Sequence, residues 1–192
     1  MTKVTKEGAG KFSYHYPFCA TIVTSHAEGR DNAMAVAWHA PISVNPPLYG
    51  VSISPRRFSL ELILQSKAFA INFMPMKYAE LVAQTGGSKG SNVDKFAKFN
   101  IEKEESIKTN APVLKKAYAA YECELYDHIT LGDHVWCVGK IVAVHYEQEA
   151  FNDKDLLDLT KVDPALYISG ENYVTTLPSS VRHLERNDYG NR

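Results

Sequence analysis

Apolar positions in the first part of the chain switch between a strand-like and a helix-like spacing. β-Branched and aromatic residues dominate residues 18–25, and weaker alternation runs through residues 32–40 until three prolines end it. Residues 48–54 predict a third strand. In residues 55–67 the apolar positions recur at helical spacing, which predicts a helix with Ser59 as its N-cap.

The middle of the chain continues this mixture of short elements. Residues 69–73 predict another strand, and Pro75 is placed to open a helix that ends at the glycines of residues 86–87. Ser91 and Asp94 have the spacing of a capping box, which predicts a loop with a short helix.

The second half of the chain is dominated by strand patterns. Residues 117–127 alternate apolar and polar side chains, as expected of a half-buried antiparallel strand. A turn at residues 132–133 leads into a long strand in which Gly139 marks a bulge or a close approach of backbones. A short helix is predicted at residues 153–160 and a last strand at residues 164–169.

These elements predict a mainly β protein. Six or so strands, two or three short helices and no alternating βαβ rhythm favour an antiparallel barrel or sandwich with helical inserts. A chain of 192 residues without repeats or linkers suits one domain, residues 1–192. We expect the barrel at about residues 12–170, followed by a polar tail, residues 171–192.

Composition narrows the range of partners. The net charge is -1 and Lys and Arg are scattered, so we expect no nucleic-acid partner. The N-terminus lacks the apolar core of a signal peptide, and no apolar run approaches the ~20 residues of a membrane span, so we expect a cytoplasmic protein without membrane attachment. Cys19, Cys123 and Cys137 lack metal or disulfide spacing and are predicted to be buried thiols.

Several familiar site motifs are missing. The GxG at Gly8 lacks the third glycine of a dinucleotide fingerprint, and the GGSKGS stretch places Lys89 before Gly90, unlike a phosphate-binding P-loop. The seven histidines include no i, i+4 pair, and no serine lies in a GxSxG elbow. We therefore predict no metal site from spacing, and a site assembled from distant strands stays open as an alternative.

The SPRRFS stretch has the chemistry of an anion site. A strand ends at Ser54, two arginines follow, and Ser59 opens a helix whose first N–H groups and dipole favour negative charge. A phosphate monoester, with a charge of about -1.5 to -2, would suit Arg56 or Arg57 at this position. The alternative is a solvated basic turn before an ordinary N-cap.

Four stretches together resemble one known family. They occur in the order NAMAVAWHAPISVNPP, SPRRFSLELILQSKAFAINF, SNVDKFAKF and LGDHVWCVGKIVAV. This order is similar to that of the flavin reductase-like, FMN-binding split-barrel family, in its flavoredoxin and ferric-reductase branch, over about residues 17–167. The resemblance implies a six-stranded antiparallel Greek-key split barrel, a homodimer, and FMN near the subunit interface.

The resemblance also implies contacts to the flavin ring. Asn32 and the backbone near Met34 would meet its polar edge, and Trp38 would line its slot. His134 would lie near the ring as the candidate catalytic residue, bonding the cofactor or orienting a nicotinamide, and Tyr167 would close the slot. Some relatives carry cysteine or threonine in place of Met34 or Val51, so contacts there would be apolar or through the backbone.

Further residues would follow the rest of the cofactor. Backbone and hydroxyl groups of Val51, Ser52 and Ser54 would line the ribityl chain. The phosphate would be bound by Arg56, Ser59 and Lys95. Each assignment has a plainer alternative: Trp38 as a core aromatic, Asn32 as a turn residue, and Lys95 as a solvated surface charge.

The implied activity is electron transfer through FMN. NADH or NADPH would donate a hydride to the flavin, which would pass electrons to a second flavin, a metal complex or a protein. One alternative is a non-enzymatic FMN electron carrier that resembles flavoredoxin. Others are a split-barrel oxidase, a binder of another planar cofactor, and a structural barrel without a cofactor.

Overall fold

The strands form one large antiparallel sheet and two small ones. A computed structural model describes residues 1–184. The strands are β1 (Phe18–Cys19), β2 (Thr21–Ala27), β3 (Arg30–Val36), β4 (His39–Ser43), β5 (Leu48–Ile53), β6 (Ala68–Phe73), β7 (Lys103–Glu104), β8 (Val113–Leu114), β9 (Ala119–Leu131), β10 (His134–Tyr146), β11 (Leu166–Ser169) and β12 (Asn172–Val174). The helices are α1 (Phe58–Ser66), α2 (Ala79–Gly87) and α3 (Lys95–Lys98), with 3₁₀ turns at Met76–Tyr78, Gln148–Ala150 and Pro178–Ser180.

The large sheet has the strand order β3-β2-β6-β9-β10-β5-β4 and curls toward closure. Its two edge strands, β3 and β4, are consecutive in the chain and are separated only by Ala37 and Trp38. The N–H of Ser52 on β5 donates to the Trp38 carbonyl at 2.9 Å, at this crossing point. The mainly β, antiparallel prediction is confirmed, but this sheet has seven strands because the predicted strand at residues 32–40 divides at Trp38.

Both faces of β2 are covered, which explains its nearly continuous burial. Val23 lies in the barrel core with Ile63 of α1, whereas Ile22 faces the opposite way and packs in a second cluster with Val82 of α2. A strand covered on both sides loses the polar alternation of a half-exposed strand. The two helices therefore lie on opposite sides of the same strand.

Gly139 lies at a β-bulge and is closely packed against neighbouring residues. The register between β10 and β9 shifts at Val138 and Gly139, which is a bulge. A Cβ atom at Gly139 would lie 2.5 Å from Cζ of Phe69 and 2.6 Å from Cβ of Cys123. The absence of a side chain therefore allows β10 to pack against β6 and β9.

We predict that Gly139→Ala lowers the free energy of unfolding by about 1–3 kcal/mol, because the methyl group overpacks the core. Urea denaturation of the variant measures this loss. Gly87→Ala is the matched control, since a Cβ at that helix end meets nothing within 4 Å. Equal stability of the two variants would contradict the packing argument.

One prediction about the last third of the chain is wrong. Residues 153–160 form turns instead of a helix, because Asn152 and Asp158 bind nearby backbone N–H groups with their carboxyl or amide oxygens. The tail beyond Gly170 contains β12, which pairs with β11. Residues 185–192 of the predicted tail lie outside the described residues.

The helix starts also differ from their predictions. Arg57, with an extended backbone, is the N-cap of α1, so the Ser59 cap prediction is wrong. Asp94 caps α3 by accepting the N–H of Ala97 at 3.0 Å, without a hydrogen bond from Ser91 to complete the predicted box among the described contacts. Pro75 precedes a 3₁₀ turn, and α2 follows it.

Candidate functional site

A cleft of about 620 Å³ lies at the start of α1, which we call the α1 cleft. Its volume is within the usual range for small-molecule sites. The walls come from β3, the turn after β5, the start of α1, the end of α2 with the loop that follows it, α3 and the start of β10. They comprise Asn32, Met34, Ser54, Arg56, Arg57, Phe58, Ser59, Thr85, Gly86, Ser88, Lys89, Gly90, Ser91, Lys95 and His134.

Positive charge dominates the α1 cleft. Among the described residues that line it, no carboxylate is present and four are cationic: Arg56, Arg57, Lys89 and Lys95. No side chain caps the first turn of α1. The positive end of the helix dipole therefore adds to the side-chain charges, and the cleft is suited to an anion such as a phosphate.

Lys95 is the most unusual of these cations because it is buried, with 2% exposure. Its ammonium donates to the carbonyl of Ala33 at 2.7 Å and to that of Thr85 at 2.5 Å. Burial, and then the charge of Arg57, lower the pKa of Lys95 to about 8. Two of its three N–H donors tie β3 to α2, so the alternative of a solvated lysine is wrong.

Asn32 and Ser59 are joined at the floor of the cleft. The Asn32 amide donates to the Ser59 hydroxyl at 2.7 Å, and both residues are buried. The backbone of Gly90 lies directly over this pair, because a Cβ there would be 2.2 Å from Oδ1 of Asn32. Arg30 holds the same loop by donating to the Gly90 carbonyl at 3.0 Å. Asn32 is therefore a fixed part of the site and not only a turn residue.

The loop after α2 contributes residues that motif matching missed. Residues 86–91 fail as a P-loop, yet Gly86, Ser88, Lys89, Gly90 and Ser91 line the cleft. The useful signal is the composition of the loop: small residues around one lysine directly after a helix. Such a loop can bring backbone groups and a positive charge close to a ligand.

His134 lies in the cleft and Trp38 lies beside it. The ring centroids of these residues are 5.0 Å apart, and Nδ1 of His134 is 2.8 Å from a carboxylate oxygen of Asp133. The hydrogen bond from His134, with a smaller contribution from Arg56, lowers the pKa of Asp133. The indole N–H of Trp38 donates to the Tyr16 hydroxyl at 2.8 Å, so Trp38 is half-buried under the N-terminal segment.

Four of the predicted contact residues, Trp38 among them, do not line the α1 cleft. Val51 is fully buried in the barrel core. Ser52 is half-buried and pairs with Trp136 across β10. Tyr167 lines a neighbouring cavity, where its ring is 5.3 Å from that of Tyr173.

Metal-ligating groups, helix lengths and thiols were the other features of interest in the described residues. Residues 1–184 contain no group of three or more His, Cys, Asp or Glu side chains arranged to hold a metal ion. Over the same residues, every helix is too short or too polar to cross a membrane. Cys123 and Cys137 are buried thiols as predicted, whereas Cys19 is half-buried.

The fold and the cleft define a class: an antiparallel split barrel with a cationic site at the start of its first helix. Residues 13–175 match the family model described as the flavin reductase like domain. The match spans most of the chain, so the chain belongs to the flavin reductase-like family.

Similar proteins have been found in archaea and bacteria. An uncharacterised protein of Pyrococcus abyssi is 35% identical over 136 residues, which is 71% of this chain and 78% of that protein. The FMN-binding protein of Thermus thermophilus, solved with bound 1-cyclohex-2-enone, has a TM-score of 0.84 and 30% identity, covering 95% of this chain and 99% of its own. The flavoredoxin of Desulfovibrio vulgaris has a TM-score of 0.81 and 25% identity, covering 94% and 96%.

Proposed function

We propose that the chain is an FMN-binding flavoprotein that uses NADH or NADPH to reduce a flavin or another electron acceptor. The observation that carries this proposal is the α1 cleft: among the described residues its lining has four cations and no carboxylate, and no side chain caps the start of α1 there. A phosphate monoester with a charge of about -1.5 to -2 is complementary to such a site. The FMN-binding protein of Thermus thermophilus, which is similar over nearly the whole chain, supports the choice of FMN.

The residues present fit the phosphate end of FMN. Arg56, Arg57 and the first-turn N–H groups of α1 would bind the phosphate, and the remaining N–H donor of Lys95 would strengthen the site from below. Met34 and His134 are placed for the ring end. When bound, FMN supplies the electron-transfer chemistry, and the protein supplies binding, orientation and electrostatics.

His134 can act through one defined nitrogen. With the Asp133 carboxylate accepting at Nδ1, the proton of a neutral ring is held on Nδ1, and Nε2 remains an acceptor. We propose that His134 uses Nε2 to bond the cofactor edge or to orient a nicotinamide.

The visible absorption spectrum of purified protein tests the proposal first. We expect a yellow protein, or a colourless one that binds added FMN in a fluorescence-quenching titration and gains thermal stability. A colourless protein without either response would contradict an FMN site. Binding of a different planar cofactor would appear as a different spectrum.

A second candidate function is that of an electron-transfer protein without a productive nicotinamide site. The similarity to the Desulfovibrio vulgaris flavoredoxin over nearly the whole chain favours it. Anaerobic titration separates the two functions: bleaching by NADH or NADPH supports the reductase, and bleaching only by dithionite supports the carrier. A small-molecule acceptor and a protein acceptor fit both proposals.

We also propose a cytoplasmic homodimer. Five large apolar side chains on β4, directly after β4 or on β9 are exposed: Ile42, Val44, Tyr126, Ile129 and Leu131. Apolar surface of this extent favours contact with a second copy. Light scattering coupled to size-exclusion chromatography tests the dimer, and the unpaired thiols suit a reducing compartment.

Arg56→Ala should weaken FMN binding about tenfold. Arg56 is exposed, so we expect its charged contact to contribute at the low end of the usual range, about 1.5 kcal/mol. Fluorescence-quenching titrations measure the dissociation constant. Lys140→Ala, at an exposed position of β10 outside the cleft, is the control and should bind FMN with wild-type affinity. Equal FMN affinity of Arg56→Ala and Lys140→Ala would contradict the assignment of Arg56 to the phosphate site.

A further inference from the structure

A row of readily oxidised aromatic side chains extends from the α1 cleft to β12. The ring centroids of Trp38 and His134 are 5.0 Å apart, and the indole N–H of Trp38 donates to the Tyr16 hydroxyl at 2.8 Å. The Tyr16 ring centroid lies 5.8 Å from that of Tyr167, and the Tyr167 centroid lies 5.3 Å from that of Tyr173. We call Trp38, Tyr16, Tyr167 and Tyr173 the aromatic row.

The rings that flank the row are of another chemical type. Phe12 meets Trp38 edge-on with ring centroids 5.7 Å apart, and Phe18 meets Tyr16 edge-on at 5.4 Å. Both contacts are ordinary aromatic packing. A phenyl ring gives up an electron far less readily than an indole or a phenol does. An electron vacancy on the row would therefore stay on the members of the row.

All members of the row are half-buried, so each ring packs against a neighbour on one side and is reached by water on another. This exposure matters because an oxidised phenol is strongly acidic. Its hydroxyl must pass its proton to an acceptor as the electron leaves. Water at each ring supplies that acceptor, which a fully buried tyrosine would lack.

The second tryptophan of the chain has different surroundings. Among residues 1–184, the Trp136 ring makes no ring contact with a tyrosine. It packs directly over the backbone of Gly50, because a Cβ at that glycine would overlap the indole. Trp136 is therefore a comparison within the same molecule for a tryptophan outside the row.

We propose that the aromatic row carries a one-electron oxidation from Trp38 to Tyr173 and so protects the α1 cleft from oxygen-centred radicals. A radical that reaches the cleft meets Trp38 beside His134, and the row moves the electron vacancy away to β12. A small-molecule thiol can repair it there. This function goes beyond the proposed FMN chemistry and does not require a bound flavin.

The transfer balances at each step. An oxygen-centred radical takes one electron from the Trp38 indole and becomes an anion, and the oxidised indole loses its Nε1 proton to water. The Tyr16 hydroxyl, which can donate as well as accept, then gives a proton and an electron to Nε1, so the indole is restored and Tyr16 becomes a phenoxyl radical.

The tyrosines pass the vacancy on in the same way. Tyr167 gives an electron to Tyr16, and Tyr173 gives one to Tyr167. In each step the donor phenol loses its proton to water and the accepting oxygen gains a proton from water. The thiol finally gives a hydrogen atom to the oxygen of Tyr173 and is itself oxidised to a thiyl radical.

Pulse radiolysis of the full chain in azide solution tests the transfer, because azidyl radicals oxidise tryptophan in preference to tyrosine at neutral pH. Trp136→Phe leaves Trp38 as the one tryptophan of the chain. We expect its indolyl absorption to decay while phenoxyl absorption grows at the same rate. This rate should not change with protein concentration, since transfer within one molecule has that signature and transfer between molecules does not.

Variants of the Trp136→Phe protein test the route. Tyr16→Phe keeps the ring but removes the hydroxyl beside Trp38, and should abolish the concentration-independent growth of phenoxyl absorption. Tyr14→Phe is the matched control, because Tyr14 is exposed in the same N-terminal segment, and it should behave like its parent. In Tyr167→Phe, a nitroso spin trap followed by peptide mass spectrometry should find the adduct on Tyr16 instead of Tyr173.

Three results would overturn the proposal. They are equal phenoxyl growth in Tyr16→Phe and Tyr14→Phe, a spin-trap adduct on Tyr173 in Tyr167→Phe, and concentration-independent transfer from Trp136 when Trp38→Phe is made in the otherwise wild-type chain. The last variant keeps the test decisive if Tyr16→Phe loses its fold. No measurement uses a flavin, so failure of the FMN proposal would leave the transfer intact and the two failures are distinguishable.

Discussion

Replacing Lys95 by methionine should weaken FMN binding about a hundredfold and lower the free energy of unfolding by about 2–4 kcal/mol. The first effect follows from losing a charged donor, worth about 1.5–3 kcal/mol, from the wall of the α1 cleft. The second follows because the carbonyls of Ala33 and Thr85 lose their donor, at about 1–3 kcal/mol for each buried unsatisfied group. FMN titration and urea denaturation measure the two effects separately.

The affinity for FMN should also depend on pH through Lys95. The pKa of Lys95 is lowered to about 8 from 10.5, and a phosphate in the cleft favours the charged ammonium. FMN affinity should therefore fall as the pH rises through about 8, and this slope should vanish in Lys95→Met. Without FMN, Lys95 binds more protons in the unfolded chain than in the folded protein between about pH 8 and 10.5. Lys95 therefore makes the free energy of unfolding rise with pH in this range.

Lys98→Met is the control for Lys95, since Lys98 is exposed and lies on the same short helix. It should retain both the affinity for FMN and its pH slope. Wild-type affinity that stayed constant across pH 8 would exclude Lys95 as a titrating part of the site. An unchanged denaturation midpoint in Lys95→Met would exclude its role in joining β3 to α2.

Replacing Glu122 by alanine should lower the free energy of unfolding by about 3–5 kcal/mol, because several donors lose their buried acceptor, at about 1–3 kcal/mol for each unsatisfied group. Glu122 on β9 is fully buried. Its carboxylate accepts the N–H groups of Ile107, Lys108 and Thr109 at 2.6–3.0 Å, and Nε2 of His145 is 2.7 Å away. The alanine variant leaves these donors without their acceptor, so urea denaturation should show a large loss.

Acid stability should depend on the same carboxylate. Burial by itself raises the pKa of Glu122, but the hydrogen bonds from His145 and from three backbone N–H groups outweigh it and lower the pKa to about 2. Because the folded pKa is below the unfolded value of 4.5, this group stabilises the protein fully above about pH 4.5. That contribution should be lost as the pH falls through about 2.

Glu124→Ala provides the comparison, because Glu124 is exposed two residues farther along β9. It should unfold at nearly the wild-type urea concentration. Glu122→Gln keeps the shape of the side chain and should lose less stability than Glu122→Ala. If Glu122→Ala and Glu124→Ala unfolded at the same urea concentration, the hydrogen bonds from Glu122 to the backbone of residues 107–109 would not stabilise the fold.

Local sequence signals were most accurate where local physics determines the structure. Alternation and β-branched residues predicted the strands at residues 48–54 and 69–73, and the bulge at Gly139 was one of the two alternatives that its position predicted. Local signals failed where a tertiary partner competed for a side chain. Ser59 has the residue type of an N-cap, but Asn32, distant in sequence, holds its hydroxyl.

The candidate site was predicted in part. Arg56, Ser59, Lys95 and His134 were identified in advance and lie in one cleft. The stretch at residues 86–91 was passed over because its sequence does not match a phosphate-binding motif, although Gly86, Lys89 and Gly90 line that cleft. A motif records one known way of placing backbone groups around a ligand, and this loop places them differently.

By itself, the sequence determined the mainly β class, the antiparallel alternation, the family and the positive charge at the start of α1, because these depend on residue types and their spacing. Only the tertiary structure decided that Lys95 is a buried connection between β3 and α2, that Tyr167 lines a cavity next to the α1 cleft, and that Glu122 anchors a loop. Such roles depend on which distant backbone groups approach a side chain. That proximity is set by how the sheet curls and where the helices pack, and no local pattern encodes it.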